Sequence, residues 1–280
     1  TLKKIKSMAR VIKTLEYSIA DVVPYINWLY FFHAWGLSGK PDSEKNALRE
    51  EAMQMLASME SRYATHAVFG LFDANADGDD IIIDGLRFPM LRQQTPTENG
   101  NPTLCLADFI RPLSHGVTDT IGAFAATVDK SMETDYKNDD YKRMLAQTLA
   151  DRLAEATVER LHQQVRTQWW GYAPEEHLTV EQMLREDFQG IRPAVGYPSM
   201  PDTSMNFLLD RLLDMKTIGI RLTASGMMMP HASVSGLMFA HPAAHYFNLG
   251  KIDETQLRDY AHRRGIPVEL MRRFLGGCLM

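Results

Sequence analysis

Cysteine is scarce in this chain. Cys105 and Cys278 lie far apart and form no CxxC-type spacing, so a disulfide framework and a zinc knuckle are both excluded. A reducing, cytoplasmic setting fits. Long apolar runs are also missing. The most apolar stretch, 25–35, contains Asn27 and His33 and falls far short of the ~20 residues needed to cross a bilayer. No membrane partner is expected. The net charge is −5, and no basic stripe dominates a segment, so nucleic acid is not expected either. Only the first residues gather cations, at Lys3, Lys4, Lys6, Arg10 and Lys13. GxGxxG and Walker loops are absent, which removes support for a Rossmann or P-loop site. The nine histidines show no HExxH spacing, and no metal is expected.

What is present describes a soluble globular protein. Hydrophobic residues make up 45% of 280 positions, enough to bury a substantial core. Ile5, Met8, Ile12 and Leu15 recur at helical spacing, so residues 1–24 read as an amphipathic helix and linker. Thr1 in first position, rather than Met, points to a piece of something longer. The spacing predicts helices over about 43–65, 140–169, 207–215, 254–264 and 268–275. The apolar arc of the longest is Leu145, Leu149, Leu153, Val158, Leu161 and Val165. Extended segments are expected at 67–72, 80–83, 104–109, 121–128 and 233–239. Strands and helices mix without regular βαβ alternation, so the fold class is α+β with a central antiparallel sheet flanked by helices.

Three patterns imitate chemistry. Asp73-Ala74-Asn75-Ala76-Asp77-Gly78, with Asp84 in the twelfth place, resembles a calcium loop. Its last ligand is too short, and β-rich flanks replace the two helices required, so a solvated hairpin turn is expected instead. Ala232-Ser233-Val234-Ser235-Gly236 falls one glycine short of a nucleophile elbow. Met227-Met228-Met229 reads as packing or as lining for an apolar ligand.

The richest segment is Arg185-Glu186-Asp187-Phe188-Gln189-Gly190-Ile191-Arg192-Pro193-Ala194-Val195-Gly196-Tyr197-Pro198. Two prolines fix φ and remove N–H donors, and Gly196 permits close backbone approach. The result is a shaped loop presenting a guanidinium, a phenol and carboxylates. Further segments accompany it in fixed order: Tyr25-Ile26-Asn27-Trp28, Gly70-Leu71-Phe72-Asp73-Ala74-Asn75, Ala150-Asp151-Arg152-Leu153-Ala154-Glu155-Ala156, Trp170-Gly171-Tyr172-Ala173-Pro174 and His241-Pro242 with Tyr246. Together they resemble the C-terminal activation domain of cobalamin-dependent methionine synthase, from about residue 25 to the end.

The resemblance implies a single C-shaped domain over 25–280, with 1–24 as tether. It implies binding of S-adenosylmethionine and docking on a cobalamin-binding module. With an electron from flavodoxin or a similar donor, cob(II)alamin would be remethylated to methylcobalamin. Position by position, it implies ligand contacts at Asn27, Glu155, Glu186, Arg192, Ala194, Tyr246 and Phe247, and a corrin-facing Tyr197. A guanidinium suits a carboxylate because it forms two parallel charge-assisted bonds. Asn27 stands where the family has Asp, which predicts weaker binding by about 1–2 kcal/mol. Residues 202–206 also depart from the family pattern. Cobalamin would belong to the partner module, and this chain alone would not make methionine. A free-standing module serving a separate corrinoid protein, or a degenerate docking domain, are the alternatives.

Overall fold

In the computed structural model, which describes residues 11–95 and 103–280, one strand organises the rest. Strand β2 (Ala64–Asp77) is 14 residues long, too long for any single partner on one edge. Along its other edge it pairs with β5 (Asp119–Val128) for ten residues. Its first half takes β1 (Val11–Ser18), and its second half takes β3 (Asp80–Ile83), which continues to β4 (Leu86–Pro89). A separate ribbon joins β6 (Arg221–Leu222) to β7 (Met228–Met229), and β8 (Ser233–Met238) completes the main sheet beside β5. Every strand pair is antiparallel.

Both sheet faces are covered, which explains why β2 and β5 read as continuous apolar runs rather than alternating ones. The helices are α1 (Ile19–Val22), α2 (Trp28–Ala34), α3 (Asp42–Met59), α4 (Ser131–Thr134), α5 (Asp140–Gln164), α6 (Val180–Leu184), α7 (Met205–Leu213), α8 (Glu254–Arg264) and α9 (Val268–Phe274). Ala67, Phe69 and Leu71 face the same core as Leu149, Leu153 and Leu161 of α5. Val68, Phe72 and Ala74 face the opposite core, with Leu209, Leu212 and Leu213 of α7. The apolar arc expected over 140–169 is buried throughout, five of its six residues on α5 and Val165 in the π-helical turn that follows it. Asp139 caps this helix by accepting the Lys142 N–H at 3.0 Å.

Two expectations fail. Residues 11–18 form a strand, not a helix, paired with β2 from Val11↔Leu71 to Ser18↔Ala64. The open half-edge of β2 supplies a ladder that outweighs a weak helical period. Leu15 and Tyr17 turn inward, while Ile12 is left 41% exposed. The part of that expected helix before residue 11 lies outside the described residues. Residues 106–109 form a short 3₁₀ turn instead of a strand. Asp108 accepts the Cys105 N–H at 2.8 Å and is itself gripped by Arg92 at 2.7 and 2.8 Å, so local bonds displace a ladder.

The three imitations resolve as architecture. Gly78 and Asp79 are the two-residue turn of the β2–β3 hairpin, with Gly78 at φ +61°. Asp77 and Asp80 bond Arg87, Asp79 bonds Arg92, and Asp80 also bonds Arg263. Arginine therefore takes Asp77, one of the loop's would-be ligands, and the Asn75 amide is turned to the Arg111 and Val117 carbonyls. Among the described residues no group of three or more His, Cys, Asp or Glu is arranged to hold a metal. Ser235 is buried within β8 and donates to Asn206 at 2.5 Å. Met228 packs against the core, whereas Met227 and Met229 are about half exposed, at 48% and 51%.

Candidate functional site

Residues 185–200 cross the edge of β8 as a broken strand, and the sequence dictates where it breaks. Thr179 and Gln182 form a reciprocal capping box that starts α6. After the helix, Glu186 takes φ +64°, a left-handed conformation uncommon for a non-glycine residue. Phe188 then packs under the wholly buried Arg166, whose guanidinium lies 4.2 Å from the ring centroid. Glu176 closes Arg166 bidentately at 2.6 and 2.7 Å. Gly190 sits at φ +85°, where an added Cβ would stand 2.2 Å from the Phe239 carbonyl.

From there the chain pairs with β8. Ile191 and Phe239 exchange backbone bonds at 3.0 and 2.8 Å. The Pro193 carbonyl accepts the Leu237 N–H at 3.1 Å, and the Val195 N–H reaches the Ser235 carbonyl at 2.9 Å. Pro193 lacks a donor, which suits this edge position. Gly236 makes the approach possible, because a Cβ there would lie 2.2 Å from the Pro193 oxygen. The pairing carries Arg192 toward α5. A tight turn follows, in which Gly196 donates to the Met200 carbonyl at 2.8 Å, and it projects Tyr197.

Helix α5 supplies the opposing wall. Arg152, Glu155, Ala156 and Glu159 share one face at helical spacing. Between the walls lies a cleft of about 610 Å³, within the range of small-molecule sites. All eight residues singled out from sequence line it: Asn27, Glu155, Glu186, Arg192, Ala194, Tyr197, Tyr246 and Phe247.

Their contacts are specific. The Arg192 guanidinium pairs with Glu159, each side chain being 13% exposed. That pair uses one oxygen and one terminal nitrogen, leaving Glu159 Oε2 and Arg192 Nε buried without partners. Burial alone disfavours the Arg192 charge, but Glu159, Tyr246 and Glu155 outweigh it and drive its pKa upward. The Arg192 backbone N–H donates to the Tyr246 hydroxyl at 2.9 Å. Tyr197 donates to Glu155 at 2.5 Å, and burial, then that carboxylate, pushes its phenol up. Burial likewise raises the Glu186 carboxyl, against the lowering pull of Arg192. Behind this layer His162 is fully buried. Burial first, then Arg166 and Arg192, hold it well below the ordinary imidazole value. Asn27 caps α2 by accepting the Leu29 N–H at 3.1 Å.

Sequence reasoning missed Glu159 and Arg152. Their signal was spacing from Glu155 by four and three positions, identical to that of a solvated helix face. Tyr25 was missed too; it anchors the rim by donating to Gln163 at 2.7 Å.

An antiparallel sheet with an edge segment folded over one long helix, enclosing a guanidinium among carboxylates and aromatics, defines an α+β domain with a cleft of small-molecule size. Residues 18–265 match the family described as "Vitamin B12 dependent methionine synthase, activation domain", and the chain belongs to that family. It is similar to a crystal structure of the MetH reactivation domain bound to AdoHcy. That similarity has a TM-score of 0.90 at 37% identity, covering 96% of this chain and 90% of that one. The resemblance noted in the sequence and the α+β antiparallel architecture are thereby borne out.

Proposed function

We propose that the cleft between α5 and residues 192–199 binds S-adenosylmethionine and that the chain supports reductive remethylation of a corrinoid. The observation that carries this reading is the joint placement of Arg192, Glu155, Glu159, Tyr246 and Phe247 around 610 Å³. The similar reactivation domain was solved with AdoHcy, which differs from S-adenosylmethionine by one methyl group on sulfur. The residues present fit such a ligand. Arg192 offers a partly unpaired guanidinium for a carboxylate, Glu155 and Glu186 offer negative charge to an ammonium, and Phe247 and Tyr246 offer ring faces to adenine.

When bound, S-adenosylmethionine supplies a methyl group on a positively charged sulfur, for a corrinoid held by a cobalamin-binding partner module. The role of this chain is to hold that ligand and present it. Tyr197 is half exposed on its turn and tied to Glu155, and in this reading it would face the corrin. An electron donor such as flavodoxin completes the system, and the chain by itself makes no methionine.

The test is calorimetric titration of S-adenosylmethionine into the chain and into Arg192→Ala. Saturable binding is expected, weakened roughly 10- to 100-fold in the variant, since a bond between charged groups contributes about 1.5–3 kcal/mol. Binding that ignores the substitution would remove Arg192 from the site. No binding at millimolar ligand would leave a docking domain only.

A further inference from the structure

The cleft is lined by five formally charged side chains: two guanidiniums, Arg152 and Arg192, and three carboxylates, Glu155, Glu159 and Glu186. Their net formal charge is therefore −1. The layer behind adds nothing. Arg166 is closed bidentately by Glu176, and His162 is buried and held neutral. Without Glu159 the two arginines would cancel Glu155 and Glu186, and the lining would carry no net charge. The same holds for either other carboxylate, and Glu159 is set apart from them by a buried oxygen with no hydrogen-bond partner. Its second oxygen, buried and without a partner, shows that Arg192 does not consume its hydrogen-bonding capacity.

We propose that Glu159 is a specificity-determining residue that makes this cleft prefer a sulfonium ligand over the corresponding neutral thioether. The inference rests on the ligand reading above. S-Adenosylmethionine carries a net charge of +1 at neutral pH, from sulfonium, ammonium and carboxylate. S-Adenosylhomocysteine has the same adenosyl and amino-acid groups but a net charge of zero. Shape and hydrogen bonding are nearly equal for the two, so a lining of net −1 separates them by charge. The same selection would release a demethylated product in favour of fresh methyl donor.

Removing one unit charge at roughly 8–10 Å in a medium of effective dielectric about 20–40 corresponds to a change of about tenfold in relative affinity. Both ligands are titrated by calorimetry into wild type, Glu159→Gln and Glu159→Asp. Glu159→Gln keeps an oxygen to accept from Arg192 but loses the charge, and should lower the preference for S-adenosylmethionine about tenfold. Glu159→Asp keeps the charge and should retain most of the preference. An equal loss for both ligands in Glu159→Gln would overturn the proposal, because it would mean that Glu159 acts only by holding Arg192. Should Glu159→Gln fail to fold, Arg152→Gln decides: it should raise the preference, and an unchanged ratio overturns the proposal. Wild type binding neither ligand would instead defeat the reading of the cleft as an S-adenosyl site.

Discussion

Gly236→Ala tests how the cleft is built. The added Cβ would stand 2.2 Å from the Pro193 carbonyl oxygen and 2.9 Å from both Ala194 Cα and Phe124 Cε1. Two of those neighbours are backbone, which cannot rotate away. Relief requires residues 193–195 to lift from β8, losing the Leu237 N–H to Pro193 and Val195 N–H to Ser235 bonds. Each lost bond costs about 1 kcal/mol net, and overpacking adds ~1–3 kcal/mol. The smaller entropy of the unfolded Ala chain offsets only ~0.4–1 kcal/mol. A destabilisation of about 3 kcal/mol is expected, a Tm lower by roughly 5 °C for a domain of this size. Because Arg192 and Ala194 ride on the lifted segment, ligand affinity should fall with it. Urea melting and calorimetry are read side by side. Gly276→Ala is the control, since nothing lies within 4 Å of a Cβ there. A Gly236→Ala protein within about 0.5 kcal/mol of wild type, with unchanged ligand binding, would refute the reasoning.

Asn27→Asp should tighten S-adenosylmethionine by about 1–2 kcal/mol in calorimetry, while stability stays level because Asp caps a helix as well as Asn. Arg166→Ala should cost about 3–5 kcal/mol in urea melting, because Glu176 is left buried and unpaired. Replacing both by apolar residues should cost less than the single change. Glu186 gives a pH signature. Its folded pKa is raised, so the folded state keeps the proton longer than the unfolded one, and stability falls as pH rises through that window. The stability of Glu186→Gln relative to wild type should therefore grow as pH rises through and above the ordinary carboxylate range. A constant difference across that range would contradict the assignment.

The long helix and central strands were legible because their signals are local and strong. The apolar positions of α5 at helical spacing and the β2–β3 turn at Gly78 needed no distant partner to be read. Strand β1 was not legible, since its conformation is set by a half-edge of β2 some fifty residues away in sequence. The site was half legible. Arg192, Tyr197 and Tyr246 stood out in an unusual segment or through the resemblance. Glu159 did not, because its partner Arg192 lies 33 positions away and its spacing is that of any polar helix face. The glycine ending Ser233–Gly236 imitates an elbow, but its purpose is contact with Pro193, which only the folded chain brings near.

The most direct test of the central claim is a crystal structure of the chain grown with S-adenosylhomocysteine. Ligand density is expected between α5 and residues 192–199, with its carboxylate on Arg192 and its adenine beside Phe247 or Tyr246. Density elsewhere, or saturating ligand with an empty cleft, would contradict it.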